Sequence, residues 1–207
     1  MRNPIYLVVH FSIFTIINIG FAQSNILTIA QGVSCKVPIN WIVAGHDAID
    51  MMNEMKRKAG IEKSSLKYVL YSEDLTDETG YPFIQIGYEN LGFDGAEVLG
   101  FNNAVNQLKL DIQNKVLPSA EIKFGEYFDK ISVNSYLVDK SRRMVIFKFQ
   151  TGIPNIGQIV SYNCFIYCKR GIARVGLNAL INMEAQALPA FNIVLKTFSI
   201  STAVAFL

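Results

Sequence analysis

The stretch Ile131-Ser132-Val133-Asn134-Ser135-Tyr136-Leu137-Val138-Asp139-Lys140-Ser141-Arg142-Arg143-Met144-Val145-Ile146-Phe147-Lys148-Phe149 decides the fold. Two runs rich in β-branched and aromatic residues flank the polar turn Asp139-Lys140-Ser141-Arg142, the pattern of an antiparallel hairpin. A second hairpin follows a turn marked by Pro154 and Gly157: Ile159 to Tyr167 and Ala173 to Leu177 flank Lys169-Arg170-Gly171. Consecutive strands joined by short turns pair antiparallel, so these runs make a sheet that helices must cover.

Toward the N-terminus, the spacing of Val98, Phe101, Val105, Leu108, Ile112 and Val116 predicts a helix over 96–116 with one apolar stripe. Asn102, Asn103, Asn106, Lys109 and Gln113 form its polar face, Asp94 is its expected N-cap, and Pro118 is expected to stop it. Before it come strands at Tyr68–Ser72 and Pro82–Tyr88, joined by the polar loop Glu73 to Gly80. A helix is expected from about Asp47 to Ala59, closed by Gly60 after Lys56-Arg57-Lys58. Val33 to Val37 alternates as a strand until Pro38. At the other end, Leu188, Phe191, Leu195 and Phe198 share a face of a helix within 184–197, expected to begin near Pro189. The order β-α-β-β-α-β-β-β-β-α predicts an α+β layered sandwich, a mainly antiparallel sheet of about six to seven strands flanked by about three helices.

Residues 1–22 have the layout of a cleavable secretory signal peptide. Arg2 precedes an apolar run from Ile5 to Phe21, and Gly20 and Ala22 supply the small residues before a cut at Gln23. A spanning anchor of roughly 20 residues is the alternative, but polar Gln23-Ser24-Asn25 follows at once. The expectation is one domain over 23–207, exported to a periplasmic or extracellular space, with no stable membrane span after cleavage. The formal charge of +2 gives no electrostatic footprint for nucleic acid. The short basic groups, Lys140 to Arg143 and Lys169-Arg170 among them, are expected to be solvated turns and helix ends.

Chemistry-bearing residues are sparse. His10 falls in the signal peptide, which leaves His46 and excludes multi-histidine zinc sites. No Gly-x-Ser-x-Gly elbow, Walker loop, Gly-x-Gly-x-x-Gly or Cys-x-x-Cys is present. His46 with Asp47 and Asp50 suits a helix cap better than a metal or acid–base site. Asp74, Asp77 and Glu78 suit a solvated loop better than calcium, because the EF-hand spacing is not met. Glu121 with Glu126 could form an acid–base pair, and Cys35 or Cys164 with His46 a thiol nucleophile. Both rank below a role without catalysis, so no catalytic residue, metal or cofactor is expected. The candidate binding residues are Trp41, His46, Tyr81 and Tyr88, since aromatic residues with polar tips favour interfaces. Of the three cysteines, Cys164 and Cys168 lie on one strand face, roughly 13 Å apart and beyond a disulfide's reach of about 7 Å. A Cys35 disulfide with Cys164 or Cys168 stays open, as do three buried thiols.

Val37-Pro38-Ile39-Asn40-Trp41 ahead of a helix, and Phe191-Asn192-Ile193-Val194-Leu195-Lys196-Thr197-Phe198 after a strand, resemble the PsbP-like, Mog-like α/β/α sandwich superfamily. The resemblance extends over almost the whole mature chain in element order. It implies a non-catalytic accessory or binding module with no catalytic motif to carry over, whose partner is an unknown protein or small ligand. The alternative is a small-molecule or lipid carrier with a pocket between sheet and helices. Nothing in the pattern sets an oligomeric state.

Overall fold

The computed structural model describes residues 25–47, 49–50, 53–54, 66–76, 79–124 and 131–200. Residues 1–24, with the expected signal peptide, most of the helix expected over 47–59, Asp77, Glu78 and Glu126 lie outside the described residues.

Long alternating runs become long strands. β4 (Leu66–Ser72), β5 (Phe83–Asn90), β6 (Ser132–Asp139), β7 (Met144–Ile153), β8 (Gly157–Cys168) and β9 (Gly171–Leu180) join the short β3 (Trp41–Val43) in one seven-stranded sheet. Its order is β3-β4-β5-β9-β8-β7-β6, and every neighbouring pair is antiparallel. The α+β layered architecture therefore stands. A second sheet has no counterpart in the sequence reading: β1 (Ile26–Ala30), β2 (Val33–Lys36) and β10 (Ser199–Ile200), in the order β1-β2-β10. After β5 come the helices α1 (Gly95–Leu99), α2 (Phe101–Asp111), a π-helical turn at Ile112–Val116, α3 (Leu117–Phe124) and, after a 3-10 turn at Ile181–Met183, α4 (Glu184–Thr197); residues 46–47, 49–50 and 53–54 are helical too.

Successive side chains on a strand point to opposite faces, and β8 feeds both. Val160, Cys164, Ile166 and Cys168 enter the main core with Leu70, Ile84, Ile86, Val175 and Leu177. The small sheet (Leu27, Ile29, Val33, Cys35) and α4 (Ala187, Phe191, Val194) close over this first face. Phe191, Ile84, Leu177 and Val194 are fully buried there, each worth roughly 1.5–3 kcal/mol relative to exposure. The second face carries two separate clusters. One sets Ala104, Val105 and Ile112 of the helices against Val145, Phe147 and Tyr167. The other sets Ala44 and Ile49 against Leu66 and Val69.

Four details differ from expectation. Pro189 lies inside α4 rather than at its start. It forfeits one backbone hydrogen bond near the helix N-terminus, and the burial of Ala187, Ala190, Phe191, Val194 and Leu195 outweighs that loss. Pro118 does not stop the second helix. It enters the first turn of α3, where its missing N–H is tolerated, after a π turn in which Leu117 N–H reaches the carbonyl of Ile112. The extra residue in that turn rotates the apolar stripe, so Leu117 packs inward and Val116 is left 53% exposed. Val98 is also outside the stripe, at 69% exposure. Gly100, at φ +74°, breaks the helix between α1 and α2 and turns Val98 away. Asp94 does cap α1, accepting from the backbone N–H of Ala96 and Glu97.

Candidate functional site

The second face is built in rows across β7, β8, β9, β5 and β4. Phe149 opposes Ser161, Ser161 opposes Asn178, Asn178 opposes Phe83, and Phe83 opposes Tyr71. In the next row Phe147, Asn163, Gly176, Gln85 and Val69 follow one another. In the third, Val145, Phe165, Arg174 and Gly87 do the same. Phe147, Phe149 and Phe165 belong with the α2 cluster, and Val69, Tyr71 and Phe83 with the Ile49 cluster. Between these walls runs a polar strip of Ser161, Asn163, Asn178 and Gln85, all half-buried.

Gly176 shapes the floor. A Cβ there would stand 3.1 Å from both Cγ and Nε2 of Gln85 and 3.5 Å from Oδ1 of Asn163. The two amides therefore converge over the glycine from the neighbouring strands. Beside them, Ser161 donates to Asn178 Oδ1 at 2.7 Å. At the strip's other end, Arg174 pairs with Glu89 at 2.6 Å and lies over the Phe165 ring at 5.6 Å. The strip thus combines neutral amides, a hydroxyl and one compensated ion pair.

Ionisable groups elsewhere in the molecule are committed to the fold. Glu184, in the first turn of α4, accepts from Lys148 Nζ at 2.6 Å and from the Tyr162 hydroxyl. Burial works to raise its pKa, but the hydrogen bonds from Lys148 and Tyr162 outweigh it and hold the carboxyl below its ordinary range. The same contacts raise Lys148, with the hydrogen bond to Glu184 foremost. Asp94, 4% exposed, holds the α1 N-terminus and accepts from Arg143 on the β6–β7 turn. Burial pushes the Cys35 and Cys164 thiols to about 12 and Cys168 to about 11, far from the thiolate a nucleophile needs.

The residues singled out from sequence do not converge. Trp41 is buried in the main core. Tyr88 packs against that core from the far end of β5, and Tyr81 stacks on Phe83 at 5.5 Å beyond its near end. Seven residues of extended chain separate the two tyrosines, about 23 Å. His46 is exposed in the first turn of a helix on the second face. Gly45, rather than His46 or Asp47, supplies the carbonyl that accepts from Ile49. A His46–Cys35 or His46–Cys164 pair is not assembled, since both thiols are buried on the opposite side of the sheet. The three cysteines are free and buried, so no disulfide joins Cys35 to Cys164 or Cys168. Cys168 instead donates to the Ile166 carbonyl, and Cys164 lies 3.8 Å from the Met144 sulfur. Asp74 and Glu121 are exposed, and their expected companions lie outside the described residues. Among the described residues, no group of three His, Cys, Asp or Glu side chains could hold a metal, and no helix is long and apolar enough to cross a membrane.

No family model and no curated protein matches the chain. The cyanobacterial PsbP (CyanoP) of Synechocystis superposes with a TM-score of 0.57 at 6% identity, over 90% of this chain and 98% of that one. The fold is PsbP-like. These similarities do not support the Mog-like part of the resemblance. LpqN, involved in cell envelope biogenesis of Mycobacterium tuberculosis, matches at TM-score 0.42 and 13% identity, over 82% of this chain and 83% of that one. A Bacteroides thetaiotaomicron protein matches at 0.48 and 10% identity, over 87% of this chain and 49% of that one. The polar strip was missed in the sequence although it left a signal. Gly87 and Gly176 sit inside strands, and Ser161 and Asn163 alternate with apolar residues where a covered face calls for apolar ones.

Proposed function

We propose that the chain is an exported, non-catalytic binding protein that acts by contact on a PsbP-like frame. The observation that carries this reading is the polar strip. There Ser161, Asn163, Asn178 and Gln85 set neutral hydrogen-bonding side chains between the apolar clusters of the second face. The groups that could do chemistry are occupied elsewhere: Glu184, Asp94 and Glu89 in ion pairs, the thiols in the core. Export rests on the layout of residues 1–22. N-terminal sequencing tests it, with Gln23 expected first and an intact Met1 overturning it. A photo-crosslinking residue at Asn178 tests the strip in the exporting cell, against the same residue at exposed Asn192 on α4. An adduct from position 178 and none from 192 is expected. Equal adducts, or none from 178, would remove the reading.

A second reading, a carrier of a small molecule, is favoured in its polar form by the strip's place between sheet and helices. A lipid is disfavoured, because Phe191, Leu177, Val194 and Ile84 fill the layer under α4.

A further inference from the structure

We propose that β6 pairs edge to edge with β6 of a second copy of this chain, so that two seven-stranded sheets join across a two-fold axis. The strip on β8, β9 and β5 plays no part in this pairing. A sheet edge presents unpaired N–H and C=O groups, and proteins blunt it with short strands, Lys, Pro or bulges. The opposite edge of the same sheet is blunted in that way, since β3 has three residues. β6 has eight residues and, among the described residues, β7 as its one strand partner. It contains no Lys, Arg or Pro. A bulge at Asn134, whose side chain is held by Ser132 at 2.9 Å and by Gln150, interrupts its first half. Residues 135–139 then run in regular register against 144–148.

This strand suits its own copy. Its one charge, Asp139, lies at one end and is engaged by the β6–β7 turn, where it accepts from the Ser141 hydroxyl at 2.6 Å and the Arg142 N–H at 3.1 Å. Antiparallel pairing centred on Tyr136 or Leu137 sets each Asp139 beside the uncharged 132–135 end of the copy, so like charges stay apart. Tyr136 opposes Phe147 and so belongs to the second face, whereas Leu137 opposes Ile146 and belongs to the first. Both stand mid-strand, yet they are 54% and 59% exposed. Across a two-fold axis each meets its own counterpart on the same face, which closes one apolar contact on either side of the joined sheet. With Lys109 Nζ 3.8 Å from its centroid and the Phe147 ring at 6.2 Å, the Tyr136 ring is already positioned for that contact. Two short strands with two apolar side chains per copy fall below the size of an obligate interface, so the dimer exchanges with monomer at micromolar concentrations.

The test is sedimentation velocity of the exported protein from about 5 to about 500 µM, with backbone amide exchange at both ends of that range. A monomer–dimer equilibrium is expected, in which the amides of residues 135–139 gain protection in the dimer. Leu137→Lys, at an exposed position, should raise the dissociation constant at least about tenfold while its circular dichroism stays that of the wild type. Ile193→Lys, at a 40% exposed position on α4, should leave the constant unchanged. Mild oxidation of Tyr136→Cys and of Leu137→Cys locates the axis: the residue on it forms a symmetric disulfide, and the natural thiols are buried away from that reaction. A monomer at every concentration, a dimer that Leu137→Lys leaves intact, or a dimer with no crosslink from either new cysteine would overturn the proposal. Protection of residues 135–139 that requires extract of the exporting cell would also overturn it, and would give the edge to a foreign strand.

Discussion

The two faces of the seven-stranded sheet are covered by different means. On the first, α4 and the three-stranded sheet lie over one continuous core running from Leu27 to Leu195. On the second, two clusters stand apart, one under α2 and one at Ile49, with amide side chains between them. The strands are shared, so the difference comes from alternate residues of the same segments. β8 sends Val160, Cys164 and Ile166 one way and Ser161, Asn163 and Phe165 the other. One face is sealed by apolar packing, and the other carries half-buried polar groups between its apolar clusters.

That contrast orders the expected effects of substitution. Phe191→Ala on the first face should be the most damaging, at about 3–5 kcal/mol in urea unfolding, because a fully buried ring leaves a cavity. Arg143→Ala should cost about 2 kcal/mol, since it strips the buried Asp94 carboxylate of its cation. That is below the cost of breaking a wholly buried pair, because Arg143 is 33% exposed. Glu184→Gln should cost about 1–2 kcal/mol through the lost charge-assisted bonds to Lys148 and Tyr162. Its signature is in the pH dependence. Glu184 titrates below its ordinary value in the folded state, so its contribution is present above the unfolded pKa, about 4.3. It is lost as pH falls through the lower folded value. Acid unfolding of the wild type should lose this increment below about pH 4, and Glu184→Gln should lack it. Asn178→Ala should cost about 1 kcal/mol, because it removes the acceptor of the Ser161 hydroxyl. A cost of 2 kcal/mol or more, roughly that of an unsatisfied buried polar group, would make the strip a structural network.

Much of this architecture was legible because it is local. Alternation in Met144–Phe149 and Ile159–Tyr167 marks strands, and the periodicity of Val105, Leu108 and Ile112 marks the helix beneath them. The small sheet was not legible, because β10 has two residues and its pairing of Ile200 with Val33 joins segments far apart in sequence. Pro118 and Pro189 misled for a related reason. Each breaks a local rule that tertiary burial overrides, through the π turn in one case and the Phe191 face in the other. The tyrosines and His46 drew notice by residue type alone, and type cannot say that Tyr81 precedes β5 while Tyr88 lies near its far end. The strip required the partner of each strand to be known. Ser161, Asn178 and Gln85 come from three segments that meet only when β9 is inserted between β5 and β8.

The contrast between a sealed face and an open one is tested most directly by titrating thiols in the folded protein carrying Ser161→Cys. The three natural cysteines lie buried on the first face with pKa values pushed to about 11–12, and the new thiol would stand in the strip. One reactive thiol per chain at pH 8, rising to all four on denaturation, is the predicted result. Reaction of the natural cysteines in the native wild type, or a silent position 161, would contradict the account.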